Sequence, residues 1–313
     1  MTQSNPFHSG ELAVQERTGE RQAARRNSGA ITPAIMAGAV RFIQQQPMVL
    51  FGSRDAQGAM WTSLIFGRPG FASSVDGTRL DVDLTQAVID RDDPIWANLQ
   101  HDHRLGSLVI ELGTRRRIRV NGAAELDPEQ RLTIQVEESY PACPKYITRR
   151  QVRLLPEEAG TPSVTESAAG VGLETGPIAA LHLADAFFVA TESPERGYDV
   201  SHRGGGAGFV KVVGPRTIRW PEFAGNSMFN TLGNLLHDPH AGVVIPDFVR
   251  HRVLQLTGTA EALWDQPDPG NETGGTRRFV EFAIEQWKER SLPSNLNSEF
   301  LDYSPVNPPV EGA

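Results

Sequence analysis

At 313 residues the chain exceeds a typical single domain, so two compact units are expected. Its 39% hydrophobic and 22% charged residues suit a globular protein, its formal net charge of −8 argues against overall attraction to nucleic acid or anionic membrane, and its single cysteine, Cys143, rules out an intramolecular disulfide. No stretch approaches ~18 consecutive apolar residues and Met1–Ser9 lacks a signal-peptide core, so a soluble, cytoplasmic protein without nucleic-acid or membrane partners is expected.

In chain order, Met1–Asn5 reads as loosely held and residues 1–29 as an N-terminal extension. Met48–Ser53 and Met60–Phe66 are apolar runs of strand length around the turn-prone Arg54–Gly58. Arg79–Asp83 alternates, a helix fits around Pro94–Gln100, and Leu105–Leu112, Arg117–Leu126 and Leu132–Val136 follow as strands. Leu155–Thr175, rich in Gly, Pro, Ser, Thr and Glu, reads as a linker. Strands at Phe187–Glu192, Tyr198–Ser201, Phe209–Val213 and Thr217–Trp220 come next, then a helix near Met228–Leu236, then strands at Ala241–Ile245 and Arg252–Leu263. Phe279–Trp287 suits helix or strand; alternation of Val280, Phe282 and Ile284 favours strand. The tail from Tyr303 to Ala313 reads as loose.

The second series repeats the first. Residues 97–125 lie over 233–261 without a gap, with nine identities: Asn98, Leu99, His101, Asp102, Gly106, Arg116, Gly122, Ala124 and Glu125 meet Asn234, Leu235, His237, Asp238, Gly242, Arg252, Gly258, Ala260 and Glu261. Upstream, Ser63, Gly67, Gly70 and Phe71 meet Ser201, Gly205, Gly208 and Phe209. The reading is a duplicated domain: two small, mostly antiparallel barrels with short helices, over residues 30–154 and 176–302, joined by 155–175.

No Walker or dinucleotide fingerprint is present, and the run Gly204–Gly208 reads as a tight loop between strands. Asn226, Ser227, Asn230 and Thr231 cluster at a predicted helix start, where unpaired N–H groups and the helix dipole favour a phosphate; plain N-capping is the bland alternative. The first half places Asp90, Asp92 and Pro94 against Asn226, Met228 and Asn230, with Asp93 opposite Phe229. Three carboxylates would repel an anion, so one site per chain is expected.

Arg115, Arg117 and Arg119 share one face of a predicted strand, either to meet an anion or to pair with acids on neighbouring strands, the loop acids Asp90–Asp93 among them. In Tyr140–Ile147 the better pocket-lining candidates are Lys145 and Tyr146, while Cys143 has no assigned catalytic role. The histidines form no convincing metal site; the repeat equivalents His101 and His237 point to a shared structural role.

The chain resembles the FMN-binding split-barrel superfamily that includes pyridoxamine 5′-phosphate oxidase, and within it the tandem-repeat oxidase-related branch. The resemblance rests on Phe7–Leu12, Trp61–Leu64, Gly67–Phe71, Arg115–Gly122, Cys143–Ile147, Ser201–Gly205, Gly225-Asn226, Thr231–Leu235 and Ser304–Pro308. It implies a mostly β fold (α+β) of two tandem FMN-binding split β-barrels forming a pseudo-dimer, with FMN as cofactor. It puts the phosphate at Asn226, Ser227, Asn230 and Thr231, and the ring along Lys211–Val213 and Trp220–Glu222, Pro221 included. Arg203 and Lys211 would balance charge, and Lys145, Tyr146 or Arg117 would reach across from the first half. The basic phosphate ligands of pyridoxamine-phosphate oxidases are unmatched at Asn226–Ser227, which disfavours pyridoxamine phosphate as substrate.

The implied function is an FMN-dependent oxidoreductase acting with a small-molecule substrate or an electron-donor protein, with no catalytic side chain assigned. The alternative is a non-catalytic flavin- or haem-binding or structural protein on the same fold. A further homodimer stays open.

Overall fold

The computed structural model describes residues 5–156, 167–173 and 175–310. Met1–Ser4, most of the expected linker and the last three residues lie outside that range. The extension forms α1 (Ser9–Arg17) and α2 (Arg21–Asn27), followed by α3 (Ala37–Gln44). The first half then gives β1 (Met48–Arg54), β2 (Met60–Gly67), β3 (Ala72–Ser73), β4 (Arg79–Asp83), β5 (Ala87–Val88), α4 (Ile95–Asn98), β6 (Arg104–Glu111), β7 (Arg116–Leu126) and β8 (Arg131–Pro141). After β9 (Arg149–Leu154), β10 (Ser167–Gly170) and α5 (Thr175–Leu183), the second half gives β11 (Ala186–Ser193), β12 (Gly197–Gly204), β13 (Lys211–Gly214) and β14 (Thr217–Pro221). It ends with α6 (Asn230–His237), β15 (His240–Asp247), β16 (Arg252–Leu263), β17 (Phe279–Ser291) and β18 (Leu296–Asp302).

The fold is mostly β: two split barrels in tandem. One sheet runs β3-β4-β8-β7-β6-β1-β2-β5 and the other β13-β14-β17-β16-β15-β11-β12, so the same strand order occurs in both halves. Even the irregularities correspond. The β7–β8 ladder shifts register at Asn121/Gly122 and the β16–β17 ladder at Thr257/Gly258, positions that the sequence overlay already pairs. Phe279–Ser291 is a strand, as its alternation indicated.

Side-chain alternation builds the three largest cores. On β1, Val49 and Phe51 face the first barrel; on β11, Phe187 and Val189 face the second. The residues between them, Met48, Leu50, Phe188 and Ala190, face a third core shared by both halves with Leu64, Leu108, Val200 and Val244. Strands buried on both faces explain the continuous apolar runs in the sequence.

The halves meet as a pseudo-dimer through reciprocal close approaches. A Cβ at Gly106 would lie 2.7 Å from the Tyr198–Asp199 backbone, and one at Gly242 would lie 2.7 Å from that of Met60–Trp61. Each half thus needs a glycine where the other half's second strand crosses it.

Within the expected linker, β10 pairs with β17. One expectation is corrected: the tail is not loose throughout, since Ser304 is buried and accepts a hydrogen bond from the Tyr146 amide (3.2 Å). No helix among the described residues is long and apolar enough to cross a membrane.

Candidate functional site

A cavity of about 100 Å³ lies between the halves at the start of α6. The first half contributes Arg117 and Arg119 from β7 and Cys143, Lys145 and Tyr146 from the loop after β8; the second contributes Ser201–Gly204, Glu222, Phe223 and the start of α6. Of the sequence candidates, Arg117, Lys145, Tyr146, Arg203, Glu222, Asn226, Ser227, Asn230 and Thr231 meet here.

Three do not. Trp220 is almost fully buried, packed on Phe187 and Phe282, because strand alternation turns it inward between Arg219 and Pro221. Lys211 and the buried Pro221 line a neighbouring hollow of about 480 Å³, and Lys211 pairs with Glu272 at 3.4 Å. Phe223 lines both spaces.

The backbone leading into α6 is unusual. Ser227 (φ 63°) and Phe229 (φ 64°) are both left-handed, a conformation costing each non-glycine residue about 1–3 kcal/mol. The N–H groups of the first turn lack intrahelical partners, as in any helix, and Phe229 at the N-cap has no side-chain acceptor to answer them. Left-handed residues beside such a turn make a concave, N–H-lined seat suited to an anion.

The polar side chains expected to hold a phosphate are mostly engaged elsewhere. The Ser227 hydroxyl donates to Glu20 (2.6 Å), Thr231 donates to Ser201 (3.0 Å), and Asn226 accepts from the Met228 amide (3.1 Å). Asn230 accepts from Arg119 (3.2 Å) and donates to Glu11 (2.7 Å). These bonds tie the loop to its surroundings; the cations that line the cavity are Arg117, Arg119, Arg203 and Lys145.

Arg119 and Arg203 are compensated, by Asp199 (2.9 Å) and Glu222 (2.8 Å) respectively. Burial works against the charge of Arg119, but Asp199 and Tyr140 more than offset it. Arg117 has no carboxylate partner among the described residues. One of its terminal nitrogens donates to the Cys143 carbonyl, and its buried Nε has no partner. Burial, with repulsion from Arg119 and then Arg203, pulls its pKa well below the ordinary value. Beside it, His202 is 5% exposed with Nε2 unpartnered. Burial, then repulsion from Arg117 and Arg203, holds that imidazole neutral. An uncompensated cation and two orphaned nitrogens, around a space large enough for a phosphate, fit an anion.

The equivalent place in the first half is filled. Arg290 on β17 reaches Asp90 (3.0 Å) and Asp93 (3.9 Å), and Asp93 also accepts from Ser63 and from Gln255 (3.2 Å). Gln255 is the repeat equivalent of Arg119. Register pairs Arg290 with Val253, the equivalent of Arg117; the corresponding strand places small Ala142 beside Arg117. One half therefore carries an arginine plug where the other carries an open wall. The loop acids pair with Arg290, so the idea that they neutralise the Arg115–Arg119 stripe is corrected. Arg115 leaves that stripe altogether, turning at a left-handed residue to bond Ile147 O and Asp302.

Sequence reasoning missed Phe223, Ser201 and His202 as lining residues, and the bonds from the extension to the 226–230 loop. Their signal was present in Ser201–Gly205 and Phe7–Leu12, read there only as marks of resemblance. His101 and His237 do not share a role: His101 is exposed, whereas His237 contacts Ser9 (2.9 Å) and Ser193 (3.0 Å).

No family model and no curated protein matches the chain. Among solved structures it is similar to a putative pyridoxamine 5′-phosphate oxidase from Lactobacillus delbrueckii, with 16% identity over 37% of this chain and 93% of that one (TM-score 0.30). It is similar also to a FAD-binding protein from Mesorhizobium loti, at 11% identity over 40% and 98% (TM-score 0.29). An F420 reductase gives 15% identity over 40% and 98% (TM-score 0.26).

Proposed function

We propose that the chain is an FMN-binding oxidoreductase that holds one FMN per chain at the mouth of its second barrel. The halves are two copies of one ancestral module, over 30–154 and 176–302, of which only the second kept a site. The observation that carries this reading is Arg117, a cation with no carboxylate in contact among the described residues, beside the start of α6. A phosphomonoester would supply the missing charge and accept from Arg117 and the helix N–H groups.

The cavity of about 100 Å³ admits the phosphate end but not a tricyclic ring. The ring would lie beyond Phe223, in the larger hollow lined by Lys211, Arg219 and Pro221. When bound, the flavin supplies hydride or electron transfer, and the protein supplies orientation and charge. Lys145, exposed at the rim, draws the anion inward.

Titration of the purified chain with FMN and riboflavin tests this. FMN is expected to saturate at one per chain and to bind about 100-fold tighter than riboflavin, because charge-assisted contacts to phosphate are worth roughly 3 kcal/mol together. The bound flavin should be reduced by a nicotinamide or a protein electron donor. Equal affinity for the two flavins would remove the phosphate seat, and a Soret-type spectrum on isolation would replace flavin by haem.

A further inference from the structure

We infer that the N-terminal extension is a working part of the anion seat, with Glu11 and Glu20 as positioning residues that hold the 224–230 loop in shape. This rests on the reading of that cavity as a phosphate site.

The extension grips the loop at four points. Gln15 donates to Met228 O (3.2 Å), Asn27 to Asn226 O (2.7 Å), Ser227 to Glu20 (2.6 Å) and Asn230 to Glu11 (2.7 Å). Glu20 also pairs with Arg278 (3.2 Å). Ser227 and Phe229 are the left-handed residues of this loop, and such conformations persist only where surrounding contacts over-determine them. Among these contacts, those from the extension bracket both.

Glu11 is fully buried. It accepts from the His8 amide (3.0 Å) and pairs with Arg196 (2.8 Å), which also pairs with Glu138. Burial raises its pKa to about 7 despite Arg196, with Glu138 and Asp199 adding to the rise. Keeping a carboxylate there is costly, and its partner Asn230 in turn accepts from Arg119 in the cavity wall. Charge placed at Glu11 is therefore relayed to the cavity through one amide side chain.

Docking depends on a glycine pair. A Cβ at Gly10 would lie 2.2 Å from Gly233 O, and one at Gly233 would lie 2.6 Å from the Glu11 amide. The first half has Ala97 at the position of Gly233, and its helix α4 is only four residues long. No second extension could seat there, so the clamp belongs to the second half's site alone.

Two variants test this, neither of which alters a residue lining the cavity. Gly10→Ala wedges α1 away from α6, and Glu20→Ala cuts the grip on Ser227. Both are expected to speed hydrogen exchange at 224–230 in the ligand-free protein by at least tenfold. Both should also cut the preference for FMN over riboflavin at least fivefold, a readout that general loosening would leave unchanged. If Gly10→Ala fails to fold, Glu20→Ala carries the test alone. Faster proteolysis of the extension with unchanged loop exchange would overturn the inference. Wild-type protein that binds neither flavin would instead sink the site reading, while the exchange experiment would still judge the clamp.

Discussion

Arg117→Met is expected to weaken FMN binding by about 100-fold while leaving the ligand-free protein at least as stable as wild type. The two effects share one origin. The guanidinium sits where burial and two neighbouring arginines work against its charge, and among the described residues its hydrogen bond goes to a backbone carbonyl rather than a carboxylate. Removing a charged hydrogen bond to a bound phosphate costs roughly 2–3 kcal/mol, hence the loss of affinity. Replacing an uncompensated, desolvated cation by an apolar side chain of similar length is often neutral or stabilising, hence the retained melting temperature. Isothermal titration with FMN and thermal unfolding without it check both halves. A variant that loses stability and keeps affinity would show Arg117 to be a structural residue.

The opposite pattern is expected at the plugged site. Arg290→Ala should destabilise the protein by about 3–5 kcal/mol, because it strands Asp93, 5% exposed, beside Asp90 without the arginine that pairs with both. Burial already raises the Asp93 pKa against the pull of Arg290. Without the arginine, Asp93 folds best protonated, so the variant should lose most stability at neutral and higher pH and recover part of it as pH falls. FMN affinity should stay within a few-fold of wild type. Denaturant unfolding at pH 5 and pH 8 measures this. A loss below about 1 kcal/mol at pH 8 would mean that the cluster is not an internal ion-pair plug.

Much of this was legible in the sequence because it is written in periodicity and repetition. Alternation gave the strands, and the ungapped overlay of 97–125 on 233–261 predicted two equivalent modules; that its paired glycines Gly122 and Gly258 both sit at a register shift came only with the structure. The contrast of Asp90, Asp92 and Asp93 with Asn226, Met228 and Phe229 pointed to the open half. Less legible was what depends on three-dimensional partners. Ser227 and Thr231 look like ligands from composition, yet Glu20 and Ser201 occupy their hydroxyls. Trp220 lies in a candidate stretch but faces the core, since strand phase rather than residue type decides direction. Arg290 gave no signal, because its role needs the register of β16 and β17. The extension was legible only as a motif: Gly10 means little until Gly233 is seen against it.

The most direct measurement is a crystal structure with FMN bound, locating its phosphorus atom. It should lie between Arg117 and the first turn of α6, once per chain, with Arg290 still seated on Asp90 and Asp93. Phosphorus found at the Asp90–Asp93 loop, in both halves, or away from Arg117 would contradict the account.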